Sequence, residues 1–189
     1  TQLIEASLAM KFIRDNAEKY GTNKDEIFVI GSSAGGHLAA MLGTMWHKNF
    51  IYDATDMPYG YNKPTGMILC YPVITSDKKY AHEDSFRKLL GSDRLSDDSA
   101  RKSVSIERNV TKETVPAFIW HTRPDSGVNV MNSLLLADAL SKKNIPYELH
   151  IYPEGGHGMG LCQKNFGSDN AYNHDWIRCA EHWMRSFDK

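Results

Sequence analysis

The sequence predicts an α/β protein, a parallel sheet flanked by helices on both faces, and three observations predict it. Four short runs rich in β-branched, aromatic and other apolar residues alternate with longer stretches at helical spacing. The strand-like Glu26-Ile27-Phe28-Val29-Ile30 runs through Gly31-Ser32-Ser33-Ala34-Gly35 into the helix-like Gly36-His37-Leu38-Ala39-Ala40-Met41-Leu42. The 189 residues are 41% apolar and 24% charged, the usage of one soluble domain with a real core.

Each element has its own justification. Leu3, Ala6, Met10, Ile13, Ala17 and Tyr20 recur at helical spacing, which predicts a helix over Gln2–Tyr20 with Gly21 as its C′ residue. Strands are expected at Ile27–Ile30, Met67–Tyr71, Ala117–His121 and Tyr147–Tyr152, and helices at Gly35–Trp46, Asn129–Lys143 and Asn173–Phe187. Strands joined through helices pair in parallel by right-handed crossovers, so ligands belong at the strands' carboxyl ends. Two stretches break the alternation: His47–Pro64, rich in Tyr, Asp, Asn and Gly, and the polar Ile74–Thr114, with a short helical pattern around Ser85–Leu90. Both are expected as lid-like insertions over the carboxyl edge of a single domain spanning residues 1–189. Tyr52, Tyr59 and Tyr61 would then line a substrate entrance, against the alternative that loop aromatics pack locally.

A net charge of −1, from 22 basic and 23 acidic residues without a basic block, points away from nucleic acid and anionic membranes. A small neutral substrate suits it better. The longest apolar run, Met67–Ile74, is too short to span a bilayer, and the chain does not open on a leader pattern. Cys70, Cys162 and Cys179 are an odd set without C-x-x-C spacing, which fits a reducing, cytoplasmic compartment.

Gly31-Ser32-Ser33-Ala34-Gly35 matches G-x-S-x-G at a strand-to-helix turn, the pattern of a nucleophile elbow, with Ser33 rather than Ser32 at its centre. The flanking glycines would let neighbouring backbone approach while the serine holds a strained conformation; the alternative is a plain glycine-serine loop. A serine hydroxyl needs a base and a group to orient that base. Asp125, after the strand Phe118-Ile119-Trp120, is the candidate acid; it also suits a helix N-cap or a Pro-Asp-Ser-Gly turn. His157, in Gly155-Gly156-His157-Gly158 after the last strand, is the candidate base. One helix and one strand separate the two, the length of a single crossover, so their loops can be neighbours. The other seven histidines lie in helices, on strands or in the insertions, and neither H-E-x-x-H nor paired cysteines occur. No metal and no cofactor are therefore expected in catalysis.

These residues resemble the serine esterases of the α/β-hydrolase fold, and most closely the bacterial acetyl-esterase and feruloyl-esterase-like branch. The resemblance rests on Val29–Ala39, on Leu69-Cys70-Tyr71-Pro72-Val73-Ile74, on Ile119-Trp120-His121-Thr122 running on to Asp125, and on Ile151–Gly158. It implies Ser33 as nucleophile, Asp125 as acid, His157 as base, and Ala34 N–H as one donor of an oxyanion hole; Pro72 joins Tyr59 and Tyr61 as a candidate substrate contact. Pro124 and Asn129 stand where that branch often has a second aspartate and a proline. A His-Gly-Gly loop, which supplies the second oxyanion donor, does not occur before Ser33.

The family's sheet has eight strands and only the last four are visible. The remainder would need about 60 or more residues from usual element and loop lengths. The sequence therefore reads as a C-terminal part of an α/β-hydrolase fold. Ile27–Ile30 would be an exposed edge where homo-oligomers could form, and loss of one oxyanion donor would cost about 100- to 1,000-fold in rate. The expected activity is hydrolysis of short-acyl esters of sugars or related small molecules through an acyl-enzyme. Two rivals are an acyl-peptide hydrolase or peptidase of the same fold and a catalytically silent small-molecule binding protein.

Overall fold

The computed structural model describes residues 2–162 and 175–187. The helical spacing at the start of the chain folds as α1 (Gln2–Asp15) and one further turn, α2 (Ala17–Tyr20), rather than as one rod. Between them the Asn16 side chain donates to Phe12 O at 2.8 Å, a local bond that competes with helix continuation. Gly21 follows at φ 63°, the left-handed C′ conformation.

Strand and helix then alternate: β1 (Phe28–Ser32), α3 (Ala34–Met45), α4 (Asn49–Thr55), β2 (Gly66–Cys70), α5 (Glu83–Leu90), α6 (Asp98–Val104), α7 (Ile106–Asn109), β3 (Ala117–Thr122), α8 (Met131–Lys142), β4 (Tyr147–Tyr152) and α9 (Trp176–Arg185). Of the predicted helix Asn173–Phe187, Asn173 and His174 lie outside the described residues. The sheet has the order β1-β2-β3-β4, all parallel, with Ser32 opposite Cys70, Cys70 opposite Trp120 and Trp120 opposite His150.

The central strands β2 and β3 are buried at every position, which is why they read as continuous apolar runs. Their alternate side chains divide into two cores. Met67, Leu69, Ala117 and Ile119 pack on one face with residues of α1, α3, α4, α7 and α8. Ile68, Cys70, Phe118 and Trp120 pack on the other with Trp176, Ala180 and Trp183 of α9. β1 and β4 are the edges, and Ile30 of β1 is 60% exposed.

The two insertions go to opposite ends of the sheet, which corrects half of the lid expectation. Residues 74–114 leave the carboxyl end of β2, and Phe86 of α5, packed with Val73 and Val128 from outside the insertion, seats α5 beside the elbow. The buried Arg101 guanidinium fixes this arrangement, meeting Glu83 at 2.7 and 2.9 Å and also donating to Ser76 O. Residues 47–64 follow a helix and precede a strand, so they lie at the amino edge. There Thr65 N–H donates to Ile27 O at 2.8 Å, Arg14 Nε to Tyr61 O at 2.8 Å, and Tyr61 O–H to Asp15 at 2.8 Å.

Candidate active site

The turn between β1 and α3 places Ser33 at φ 55°, ψ −121°, a backbone conformation that side-chain-bearing residues rarely adopt. Three bonds hold it there. Ser33 N–H donates to Cys70 O at 3.0 Å, and Ser33 O accepts from Val73 N–H at 3.0 Å and from His37 N–H at 3.2 Å. Two glycines make the turn sterically possible. A Cβ on Gly31 would stand 2.2 Å from Gly35 O, and one on Gly36 would stand 2.8 Å from Pro72 Cβ. Gly35 itself has open space where a Cβ would go, so close approach belongs to Gly31 and Gly36 rather than to Gly35.

Folding brings the three sequence-predicted residues into one relay. Ser33 Oγ lies 2.8 Å from His157 Nε2, and His157 Nδ1 lies 2.8 Å from Asp125 Oδ2. Asp125 stands beyond the carboxyl end of β3, and His157 in the loop after β4. The Asp125 side chain is fully buried. Burial pushes its carboxyl up, but hydrogen bonds from His121, His157 and Val128 N–H, with the charge interaction of His157, outweigh burial and hold it down at about 2. An ionised Asp125 selects the histidine tautomer with hydrogen on Nδ1, leaving Nε2 free to accept from Ser33.

Three supporting residues escaped the sequence reading. His121, fully buried at the end of β3, has Nε2 3.0 Å from Val128 O and 3.2 Å from Asp125 Oδ2, with Ser133 Oγ 2.8 Å from Nδ1. Because Val128 O can only accept, Nε2 carries the hydrogen and presents it to the carboxylate as well. The four-residue offset from His121 to Asp125 was visible as part of a motif, not as a contact. Gly127 is the second: a Cβ there would stand 2.7 Å from His157 Cγ, so only glycine lets the imidazole lie over the Asp125 turn. The third is Tyr71, at φ 38°, whose ring meets the His157 ring edge-on at 5.1 Å and whose hydroxyl accepts from Gly160 N–H at 3.1 Å.

Ser33 opens into a cavity of about 590 Å³ lined by Ala34, Leu38, Val73, Phe86 and Leu89 among others. His37 forms part of its wall; burial pushes its pKa down, only partly countered by the bond to Val104 O. Ala34 is the first residue of α3, where backbone N–H groups have no intrahelical acceptor. The expected substrate contacts do not meet this cavity. Tyr59 and Tyr61 line a separate hollow with Arg14, Lys24 and Pro116 at the amino edge. Pro72 packs behind the elbow on Gly36, and Val73 beside it faces the space instead.

Among the described residues, no helix is long and apolar enough to cross a membrane. The BD-FAE family model matches residues 1–140. Endo-1,4-beta-xylanase B of Butyrivibrio fibrisolvens is 38% identical over 170 residues, 88% of this chain and 26% of that protein. Acetylxylan esterase of Xylanibacter ruminicola is 29% identical over 178 residues, 93% of this chain and 34% of that protein. The chain thus spans about a quarter to a third of the length of these curated relatives. Among solved structures, the acetyl ester-xyloside bifunctional hydrolase of Caldicellulosiruptor lactoaceticus superposes with a TM-score of 0.83 at 38% identity, over 98% of this chain and 65% of that one.

Proposed function

The chain belongs to the BD-FAE family, and on that footing we propose that it hydrolyses carboxylic esters, with short acyl groups such as acetyl carried on sugars as its substrates. The observation that carries this reading is the continuous relay Ser33–His157–Asp125, with both links at 2.8 Å. His157 Nε2 takes the hydroxyl proton as Ser33 Oγ bonds to the ester carbonyl carbon. Asp125, ionised, holds the ring and stabilises the imidazolium that forms. Ala34 N–H, at the positive end of α3, donates to the carbonyl oxygen as it gains charge.

Collapse of the tetrahedral adduct breaks the bond to the alcohol, which leaves with the proton from His157, and the acyl group stays on Ser33. His157 then takes a proton from water as the water attacks the acyl carbon, and it returns that proton to Ser33 Oγ as the acyl–oxygen bond breaks and the acid leaves. The relatives named as an acetylxylan esterase and an acetyl ester-xyloside hydrolase support the choice of acyl group and of sugar.

Turnover of p-nitrophenyl acetate, followed by a panel of acetylated xylo-oligosaccharides, feruloyl esters and peptides, tests this. Ser33→Ala and His157→Ala are expected to lose at least about 10⁴-fold in kcat. Full activity in either variant would end the proposal, and preference for peptides over acetyl esters would end its substrate part.

A further inference from the structure

Away from Ser33, the exposed side of β4 and the adjoining surface of α9 carry a second cluster of chemically able groups. Glu148 and His150 are two residues apart on β4 and so share a face of the strand, as Cys179 of α9 meets them from the facing helix. One donor atom from each of the three lies within 4.8 Å of the other two. All three are half-buried, and Glu148 and Cys179 border an open hollow shared with Asp175 and His182, so an ion can enter from solvent.

The donor types narrow the ligand. A thiolate, an imidazole and a carboxylate suit a borderline-soft divalent cation and are a poor set for calcium or magnesium, which take oxygen donors. Two features suit a cation here. Glu148 hydrogen-bonds to His150 at 2.7 Å, and the nearby Arg178 and Arg185 each face an acidic partner of their own, Asp175 and Glu181.

We propose that Glu148, His150 and Cys179 bind a zinc-class divalent cation that clamps the edge strand β4 to α9, with water in the fourth position. The cysteine proton leaves to solvent as the sulfur–metal bond forms, and the Glu148–His150 hydrogen bond opens to give both donors to the ion. Ligand atoms around tetrahedral zinc stand about 3.5 Å apart, so the Glu148–His150 contact at 2.7 Å must widen and Cys179 must close in by up to about 1 Å, within reach of rotamer changes at a half-buried surface. Nothing in this site touches Ser33, and its role is to hold structure. The sequence showed no ligand spacing because strand and helix bring the donors together across 28 intervening positions, from His150 to Cys179.

Zinc chloride titrated into the metal-free protein, followed by calorimetry and thermal melting, is the first test, and cobalt(II) spectra are the second. One saturable site is expected, with Tm raised about 5–10 °C at a metal concentration about 100-fold above Kd. Cobalt(II) should give thiolate-to-metal charge-transfer absorption. Cys179→Ser should abolish that absorption, and His150→Gln should weaken binding by at least about tenfold. Both variants should keep the wild-type Tm in chelator and full ester turnover. Absence of saturable binding, unchanged affinity in His150→Gln, or thiolate absorption surviving Cys179→Ser would overturn the proposal. If Cys179→Ser fails to fold, His150→Gln and Glu148→Gln on the surface of β4 still decide it.

Discussion

The insertions at 47–64 and 74–114 look alike in sequence, both polar, tyrosine-bearing and outside the strand–helix rhythm, yet they fold at opposite ends of the sheet. The second leaves the end of β2 and seats α5 beside Ser33. The first returns from α3 and α4 to the start of β2 and ends up with Arg14 and Asp15 of α1. In a parallel sheet, a strand-to-helix connection lies at the carboxyl edge and a helix-to-strand connection at the amino edge. What flanks an insertion, rather than its composition, therefore decides whether it can reach a site above the sheet.

That contrast can be broken by substitution at each edge. The largest effect should come from Gly127→Ala at the carboxyl edge, because its Cβ would meet His157 at 2.7 Å. Displacing the imidazole by about 1 Å is expected to lower kcat about 100-fold while the melting curve changes little. A wild-type rate in that variant would show that His157 has freedom the packing denies. Next, Leu89→Ala removes apolar lining contributed by α5 and should raise KM for p-nitrophenyl esters about tenfold with kcat nearly kept. Smallest is Tyr59→Ala at the amino edge, where the side chain is 68% exposed; kcat/KM should move by less than about twofold. A large loss there, with little at Leu89, would invert the assignment of the two edges.

Most of the fold was legible because its signals are local. Short apolar runs mark the four strands, and the order Ser33, Asp125, His157 along the chain points to the relay. β1 runs two residues further than Ile30, through Gly31 and Ser32, because pairing with Leu69 and Cys70 carries it there. What stayed hidden depends on contacts between distant segments. His121 read as a strand residue, although it lies beneath the Asp125 carboxylate. Gly127 read as a turn glycine, and only the position of His157 shows why a side chain is excluded. Gly35, prominent in the motif, has room for a Cβ, whereas Gly36 just outside the five residues does not.

The central claim is that Ser33 is the nucleophile and that His157 activates it. A serine-directed phosphonate ester, with the adduct mapped by peptide mass spectrometry, addresses it directly. The account predicts one adduct, on Ser33, formed in step with loss of ester turnover, absent in Ser33→Ala and strongly slowed in His157→Ala. An adduct on Ser32 or on any other residue, or labelling at the wild-type rate in His157→Ala, would contradict it.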